Sequence, residues 1–320
     1  MDTVRTTLGR TPITIPALGI GTRRWGQRFL RGYGTEDREA ELRGAYRAAL
    51  EAGLTFFDTA EVYGLGHAER LLGRCIVDLP DRPVIATKFH PLLPFRLRKG
   101  ALLGALRDSL ERLRLPAVDL YQLHVPYALT PMDTWLAALA EAVEAGVARA
   151  AGVSNFSAMQ MVRAHALLEK RGVALASNQV HYSLLHRAPE TRGLLDVCRD
   201  LGITLIASMP LAQGLLTGKY TPEHPPNGPR GRRYRQRELE AVAPLLEALR
   251  RVGDAHGGRT PAQVALNWTI GKGVVPIAGV RTAAQVAENA GALGWRLTAE
   301  EEAELDALSR ARQWIMRTWW

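Results

Sequence analysis

The sequence predicts an α/β fold, a (β/α)8 TIM barrel with an N-terminal β-hairpin and a C-terminal tail. Short apolar segments alternate with amphipathic segments of helical period along nearly all of the 320 residues. Eight such units follow one another, and their strands are apolar on both faces, which is typical of a closed parallel barrel. The chain is longer than the ~250 residues of an ordinary barrel, which leaves room for extended loops. We expect residues 1–320 to form a single domain.

The predicted elements can be placed along the chain. Strands are expected at residues 18–21, 54–57, 84–87, 118–123, 148–153, 176–180, 204–207 and 274–278. Helical periodicity is clear at residues 100–113, 131–145, 157–170, 190–201 and 282–293. Residues 4–16 are predicted to form a hairpin around Gly9-Arg10 that closes the bottom of the barrel. A Pro-, Gly- and Arg-rich insert at residues 220–236 separates the seventh strand from its helix.

A doubly wound open sheet is the competing fold. It usually carries a glycine-rich turn after its first strand, where a dinucleotide binds. Gly19-Ile20-Gly21 is followed by Thr22-Arg23 and lacks the third glycine of that motif, so the barrel is the preferred prediction.

Composition limits the class of protein. Cys75 and Cys198 provide neither a disulfide framework nor a metal-binding spacing, so we expect two buried thiols and no metal. No apolar run reaches the ~18 residues of a membrane span, and the N-terminus lacks a secretory signal, so a cytoplasmic protein is expected. The net charge of +9 comes from scattered arginines, densest at residues 229–237. A solvated surface or a small-anion site is preferred there over a nucleic-acid patch, and oligomeric state stays open.

Ionisable residues follow three successive predicted strands. Asp58 ends one apolar run, Lys88 ends the next, His124 ends the third, and Tyr63 lies five residues after Asp58. Because the carboxyl ends of barrel strands form the catalytic face, these four side chains are expected to meet there. Each residue alone has an ordinary structural explanation, but the set on consecutive strand ends indicates a functional site.

The four residues suit proton donation by a phenol. A free phenol has a pKa of about 10, which is too high for easy proton exchange at neutral pH. We expect Lys88 to lower the pKa of Tyr63 and Asp58 to hold Lys88 in its charged form. His124 would orient a substrate carbonyl or help to relay the proton. The set predicts a general acid that protonates an oxygen while a hydride reaches carbon.

Ordered motifs extend these observations over nearly the whole length. They are Gly-Ile-Gly-Thr at 19–22, Phe-Asp-Thr-Ala-Glu-Val-Tyr-Gly at 57–64, Ala-Thr-Lys at 86–88, Gln-Leu-His at 122–124, Gly-Val-Ser-Asn-Phe at 152–156, Asn-Gln-Val at 178–180, and the segments 210–220 and 288–295. This pattern resembles the aldo-keto reductase superfamily, specifically its plant-chloroplast and bacterial branch. The resemblance implies an NADP(H) cofactor and a catalytic tetrad at Asp58, Tyr63, Lys88 and His124.

Loops after the seventh and eighth strands often bind phosphate in such barrels. Gln213, Gly214 and Lys219 would offer close backbone approach and a cation to a pyrophosphate. By resemblance, Arg281 and Gln285 would hold the 2′-phosphate side of the adenosine. A guanidinium there favours NADPH over NADH, because it pairs bidentately with phosphate.

The resemblance also assigns the remaining cofactor contacts. Ser154, Asn155 and Gln179 match the contacts to the nicotinamide carboxamide, although Ser154 and Asn155 are also suited to capping the next helix. Glu288 and Asn289 match the adenine contacts. The resemblance also implies cofactor contacts at Gly21, Thr22, Asp58, Ser208, Pro210, Leu211 and Gly279.

Two positions depart from the family pattern. Ser208 stands where relatives usually have an aromatic residue stacked on the nicotinamide, and the lost stacking is worth roughly 0.5–1.5 kcal/mol. Arg23 stands where relatives often have a Trp at the substrate end. If Arg23 points inward, an anionic or polar substrate is expected; if it points outward, it is only a solvated charge. Tyr63 and His124 complete the expected substrate-binding set.

The leading hypothesis is an NADPH-dependent reductase of a small carbonyl-containing substrate, an aldehyde or ketone, that yields an alcohol. The alternatives are a nucleotide-sensing subunit like the potassium-channel β subunits, and an alcohol or sugar dehydrogenase working oxidatively. Substrate identity depends on loops at residues 27–34, 90–98 and 126–130 and on the Trp-rich tail at 314–320. The tail would cover the barrel mouth, join a subunit contact, or pack on an outer helix.

Overall fold

The computed structural model describes residues 4–26, 36–77, 82–94, 96–228, 231 and 234–312. The predictions for the loop at 27–34 and for the tail at 314–320 lie outside the described residues, as does part of the arginine-rich segment 229–237.

Eight parallel strands close into a barrel, which confirms the predicted fold. The N-terminal hairpin contributes β1 (Arg5–Thr7) and β2 (Thr14–Pro16). The barrel strands are β3 (Gly19–Gly21), β4 (Phe56–Asp58), β5 (Val84–Phe89), β6 (Leu120–Leu123), β7 (Ala151–Ser154), β8 (Leu175–His181), β9 (Thr204–Ser208) and β10 (Val275–Gly279). Each pairs with the next along the chain, and β10 also pairs with β3. The bounds differ from the predicted ones by at most three residues.

The described helices are α1 (Glu36–Glu51), α2 (His67–Val77), α3 (Gly100–Leu113), α4 (Met132–Glu144), α5 (Ala158–Glu169), α6 (Ala188–Thr191), α7 (Leu194–Leu201), α8 (Gln236–Ala255), α9 (Pro261–Gly271), α10 (Ala283–Ala290) and α11 (Ala299–Arg310). The single helix predicted at 190–201 is wrong. The left-handed backbone of Gly193, with φ of 69°, separates α6 from α7 there, a conformation that glycine adopts without steric cost.

The hairpin closes the end of the barrel where the strands begin, as predicted. Leu8, Ile13 and Ile15 are buried together with barrel-interior side chains such as Phe56 and Ile277. The amide of Gly9 donates to Thr204 Oγ1 at the start of β9, over 2.7 Å. Because side chains fill this end, the opposite end, where the strands finish, is the expected side for ligands.

A second and larger core lies between the strands and the surrounding helices. Trp25, Trp135 and Trp268 are fully buried in it. Cys75 and Cys198 are buried free thiols, as predicted, and burial raises the pKa of Cys198 to about 12. No helix within the described ranges is long and apolar enough to cross a membrane.

Candidate active site

The carboxyl ends of β4, β5 and β6 bring the predicted ionisable residues together. Asp58 is the last residue of β4, Lys88 is the penultimate residue of β5, and His124 follows the last residue of β6. The strand register pairs Asp58 with Ala86 and Lys88 with Gln122, so each ionisable residue lies two positions beyond the partner of the one before it. The strands form here because their residues are apolar and buried on both faces.

Lys88 and Asp58 form a buried ion pair. Lys88 Nζ lies 2.6 Å from each carboxylate oxygen of Asp58 and 2.9 Å from the carbonyl oxygen of Thr59. Lys88 is fully buried and Asp58 is 3% exposed. Burial alone would lower the pKa of Lys88, but Asp58 and Tyr63 together raise it above its usual value. Lys88 is therefore a fixed positive charge inside the barrel.

Two glutamines complete the surroundings of the Asp58 carboxylate. Gln179 Nε2 donates to Asp58 Oδ1 over 2.8 Å, and Gln122 Nε2 lies 3.4 Å from the same oxygen. Gln179 was predicted to contact cofactor, but no role was predicted for Gln122. On the backbone side, the amide of Thr22 donates to the carbonyl oxygen of Asp58 over 2.9 Å. The carboxylate is thus fixed by side chains from three strands, β5, β6 and β8.

Tyr63 lies beside this pair. Its ring centroid is 5.3 Å from Lys88 Nζ, and its ring meets that of His124 edge-on, with centroids 6.1 Å apart. The expected net lowering of the pKa of Tyr63 is wrong. Burial raises the pKa of Tyr63 above its usual value, and the opposing effect of Lys88 does not offset it. The phenol accordingly keeps its proton at neutral pH.

His124 is a neutral imidazole in this environment. Burial is the main reason that its pKa falls to about 2, and the charges of Lys88 and Arg23 add to the effect. The ring of His90 lies edge-on to it, with centroids 5.1 Å apart, and burial also lowers the pKa of His90. The amide of His124 donates to the carbonyl oxygen of Phe89 over 2.9 Å, which holds the residue against β5.

A second ion pair, between the buried Glu61 and the partly buried Arg96, stands beside the first, and the sequence did not predict it. Arg96 donates to both carboxylate oxygens of Glu61 over 2.5 and 2.6 Å, and its guanidinium stacks on Phe89 at 4.4 Å. The amide of His90 donates to Glu61 Oε1 over 2.6 Å. These contacts join the loop after β4 to the loop after β5. The motif containing Glu61 was the only signal available in the sequence.

The residues expected at the nicotinamide carboxamide form one connected network. Ser154 Oγ donates to the carbonyl oxygen of Gln179 over 2.8 Å. Asn155 Nδ2 lies 3.1 Å from Ser154 Oγ and 3.0 Å from the carbonyl oxygen of His124. Ser154 and Asn155 do not cap helix α5, because Ser157 accepts from the amide of Gln160 in that role. The capping explanation of these two residues is therefore wrong.

The loop after β9 has the backbone expected of a phosphate cradle. Ala212, Gln213 and Gly214 follow one another with φ of 47°, 55° and 103°. A Cβ on Gly214 would lie 3.2 Å from Lys219 Cε, so glycine keeps the backbone open beside this exposed cation. Successive backbone amides and a nearby ammonium suit an anion. Ser208, Pro210 and Leu211 lead into this turn; Ser208, at the end of β9, is partly exposed.

The loop after β10 carries the other cofactor candidates. The amide of Arg281 donates to Gln285 Oε1 over 2.8 Å, and Gly279 just before it is exposed. Glu288 is exposed on α10, whereas Asn289 next to it is 4% exposed. The loops after β9 and β10 lie beside each other, since their strands are paired. The residues present therefore fit a dinucleotide phosphate.

Comparison with known proteins shows which protein family and which solved structures the chain is similar to. The model of the Aldo/keto reductase family matches residues 17–310. A pyridoxal reductase from Arabidopsis thaliana, described as chloroplastic, is 41% identical over 309 residues, covering 92% of this chain and 83% of the relative. An aldo-keto reductase from Klebsiella pneumoniae in complex with NADPH is 30% identical, with a TM-score of 0.76 and coverage of 97% and 96%. The glycerol dehydrogenase from Gluconobacter oxydans is 27% identical, with a TM-score of 0.83 and coverage of 98% and 97%.

These matches extend over nearly the whole chain and agree with the closed barrel. They confirm the resemblance found in the motifs, the prediction of an NADP-dependent oxidoreductase, and the prediction that NADP(H) is its cofactor. The chain therefore belongs to the aldo/keto reductase family.

Proposed function

We propose that the protein reduces an aldehyde or ketone to an alcohol with NADPH, and that Tyr63 is the general acid. The observation that supports this most is the position of the Tyr63 ring, 5.3 Å from the buried Lys88 ammonium and edge-on to a neutral His124. A protonated phenol, a fixed cation and a neutral imidazole suit the protonation of a carbonyl oxygen.

Each residue has a distinct part in the proposal. Tyr63 holds its proton until negative charge develops on the carbonyl oxygen and then donates it. Lys88 stabilises the phenolate that forms, and Asp58 compensates the charge of Lys88 while the site is at rest. His124 stays neutral, so its ring carries an N–H that donates to the same oxygen and orients the carbonyl.

The cofactor would be held by the networks around Ser154 and along the loops after β9 and β10. Ser154, Asn155 and Gln179 would bind the nicotinamide carboxamide, and the backbone at Gly214 with Lys219 would bind the pyrophosphate. When bound, NADPH supplies the hydride that reaches the carbonyl carbon. Arg281 would pair with the 2′-phosphate and set the preference over NADH.

The proposal is tested by following NADPH absorbance with a panel of aldehydes and ketones. We expect turnover by the wild type and a loss of roughly 10²- to 10⁴-fold in kcat for Tyr63→Phe, since general acid catalysis contributes that much. Wild-type turnover that Tyr63→Phe retains would refute the assignment of the acid. Tight NADPH binding without turnover of any carbonyl or alcohol would instead favour a nucleotide sensor. The same assay run with alcohols and NADP⁺ gives the preferred direction.

A further inference from the structure

The turn after β3 is fixed on both sides of Arg23. Thr22 donates from its amide and from its hydroxyl to the carbonyl oxygen of Asp58, over 2.9 and 3.0 Å. Trp25 is fully buried, and its indole nitrogen donates to the carbonyl oxygen of Val280 over 2.9 Å. Because Thr22 and Trp25 are both held, the backbone at Arg23 between them has little freedom.

The same turn packs directly on the backbone that carries Tyr63. A Cβ on Gly26 would lie 2.3 Å from the carbonyl carbon of Tyr63, and a Cβ on Gly64 would lie 1.8 Å from the carbonyl oxygen of Gly26. Side chains at positions 26 and 64 would force the two segments apart. Arg23 thus belongs to a short turn in backbone contact with the proposed general acid.

Two ion pairs near Tyr63 are internally balanced in the part of the chain that the structure describes. Lys88 is paired with Asp58, and Arg96 is paired with Glu61. Burial keeps His90 and His124 neutral, since it lowers the pKa of both. Arg23 adds one positive charge that these pairs do not balance.

Arg23 itself is exposed and, among the residues that the structure describes, forms no ion pair. Its charge nevertheless reaches the site, because it contributes to lowering the pKa of His124 and opposes the rise in the pKa of Tyr63. The turn that contacts the Tyr63 backbone lies at the carboxyl end of β3, so this exposed cation stands at the mouth of the site.

We propose that Arg23 binds an anionic group on the substrate, so that the preferred substrates are aldehydes or ketones that carry a carboxylate or a phosphate. This inference rests on the proposed reductase function. A guanidinium presents paired N–H donors that match the oxygens of either group, and such charge-assisted hydrogen bonds are stronger than neutral ones. The recognition would place the anion at the turn after β3 while the carbonyl lies between Tyr63 and His124.

The test compares matched substrates that differ in one charge. 4-Carboxybenzaldehyde and its neutral amide, 4-carbamoylbenzaldehyde, form the carboxylate pair, and glycolaldehyde phosphate with glycolaldehyde forms the phosphate pair. We expect wild-type kcat/KM to favour the anionic member of at least one pair by roughly tenfold or more. The pair with the larger preference identifies which anion is recognised.

Three variants separate recognition from general effects. Arg23→Gln should lower kcat/KM for the anionic member by roughly 10- to 100-fold and change the neutral member by less than about threefold. Arg23→Lys should restore part of the preference, because it keeps the charge without the fork of donors. Arg10→Gln removes a positive charge from the hairpin at the opposite end of the barrel and should change neither substrate. Added salt should reduce the wild-type preference.

Several results would overturn the inference. Equal losses on both members of a pair in Arg23→Gln would exclude charge recognition, and so would a wild-type enzyme without preference in either pair. A weaker NADPH Kd in Arg23→Gln, measured by fluorescence titration, would assign Arg23 to the cofactor instead. If the neutral aldehydes are still reduced when any of these results is obtained, the proposed reductase function is unaffected. If the wild type turns over neither substrate of either pair, both the anion recognition by Arg23 and the proposed reductase function are contradicted.

Discussion

Removing the Lys88 ammonium tests the buried ion pair through its dependence on pH. Lys88 Nζ lies 2.6 Å from both oxygens of a carboxylate that is 3% exposed. At that distance and an effective dielectric constant of about 20, the attraction amounts to roughly 6 kcal/mol. Lys88→Met leaves Asp58 without this partner, while the amide donors of Gln179 and Gln122 remain.

The loss in the free energy of unfolding caused by Lys88→Met has an upper limit, because Asp58 can take up a proton. With an unperturbed pKa of about 3.9 and about 1.36 kcal/mol for each pH unit, protonation costs roughly 4 kcal/mol at pH 7 and roughly 1.5 kcal/mol at pH 5. The value at pH 7 agrees with the ~3–5 kcal/mol that breaking a buried pair usually costs. In the variant the buried carboxyl group of Asp58 takes up a proton on folding, which costs less free energy at lower pH, so the penalty shrinks as pH falls.

Urea unfolding followed by circular dichroism at pH 7 and pH 5 measures this difference. We expect the destabilisation by Lys88→Met to fall by roughly 2.5 kcal/mol between the two pH values. The double variant Lys88→Met/Asp58→Asn is the control, since it lacks the carboxylate and should lose that pH dependence. A penalty for Lys88→Met that is below about 1 kcal/mol, or the same at both pH values, would refute the buried ion pair as described.

Other predictions concern the titration of the site, the cofactor and the second ion pair. Burial raises the pKa of Tyr63 and lowers that of His124 to about 2, so kcat for reduction should stay level from pH 5 to about pH 10 and fall only above pH 10. A fall in kcat below pH 7 that disappears in a His124→Gln variant would contradict this prediction. Arg281→Ala should weaken NADPH binding by roughly 10- to 100-fold and leave NADH binding nearly unchanged in fluorescence titrations, whereas equal losses would exclude a 2′-phosphate contact. Glu61→Gln should lower the free energy of unfolding by roughly 3 kcal/mol, because it leaves the guanidinium of Arg96 without its bidentate partner. A loss below about 1 kcal/mol would mean that solvent largely screens the attraction between Glu61 and Arg96.

Much of the barrel could be predicted from local sequence. Strands buried on both faces appear as short apolar runs, and all eight were found within three residues of their bounds. The break between α6 and α7 could not be predicted, since apolar periodicity continues across it while Gly193 adopts a left-handed backbone. A single domain over residues 1–320, a cytoplasmic location and the absence of a nucleic-acid partner stay predictions.

The sequence predicted the site residues that directly follow strands. It did not predict the properties of the site that depend on how deeply a residue is buried. Asp58, Lys88 and His124 were placed by their strand ends, and the structure brings them together. The pKa of Tyr63 was expected to fall because the argument considered charges and omitted burial, which is a property of the whole fold. The Glu61–Arg96 pair joins residues 35 positions apart in sequence, and no periodic pattern connects such residues.

The central claim is that Tyr63 supplies the proton, and a single-turnover experiment tests it most directly. Enzyme loaded with NADPH is mixed with excess aldehyde, the first turnover is followed by stopped-flow absorbance, and the NADPH Kd is measured separately. We predict that Tyr63→Phe lowers the first-turnover rate by roughly 10²- to 10⁴-fold and leaves the NADPH Kd within about threefold of the wild type. A first-turnover rate within tenfold of the wild type, at unchanged Kd, would contradict the claim.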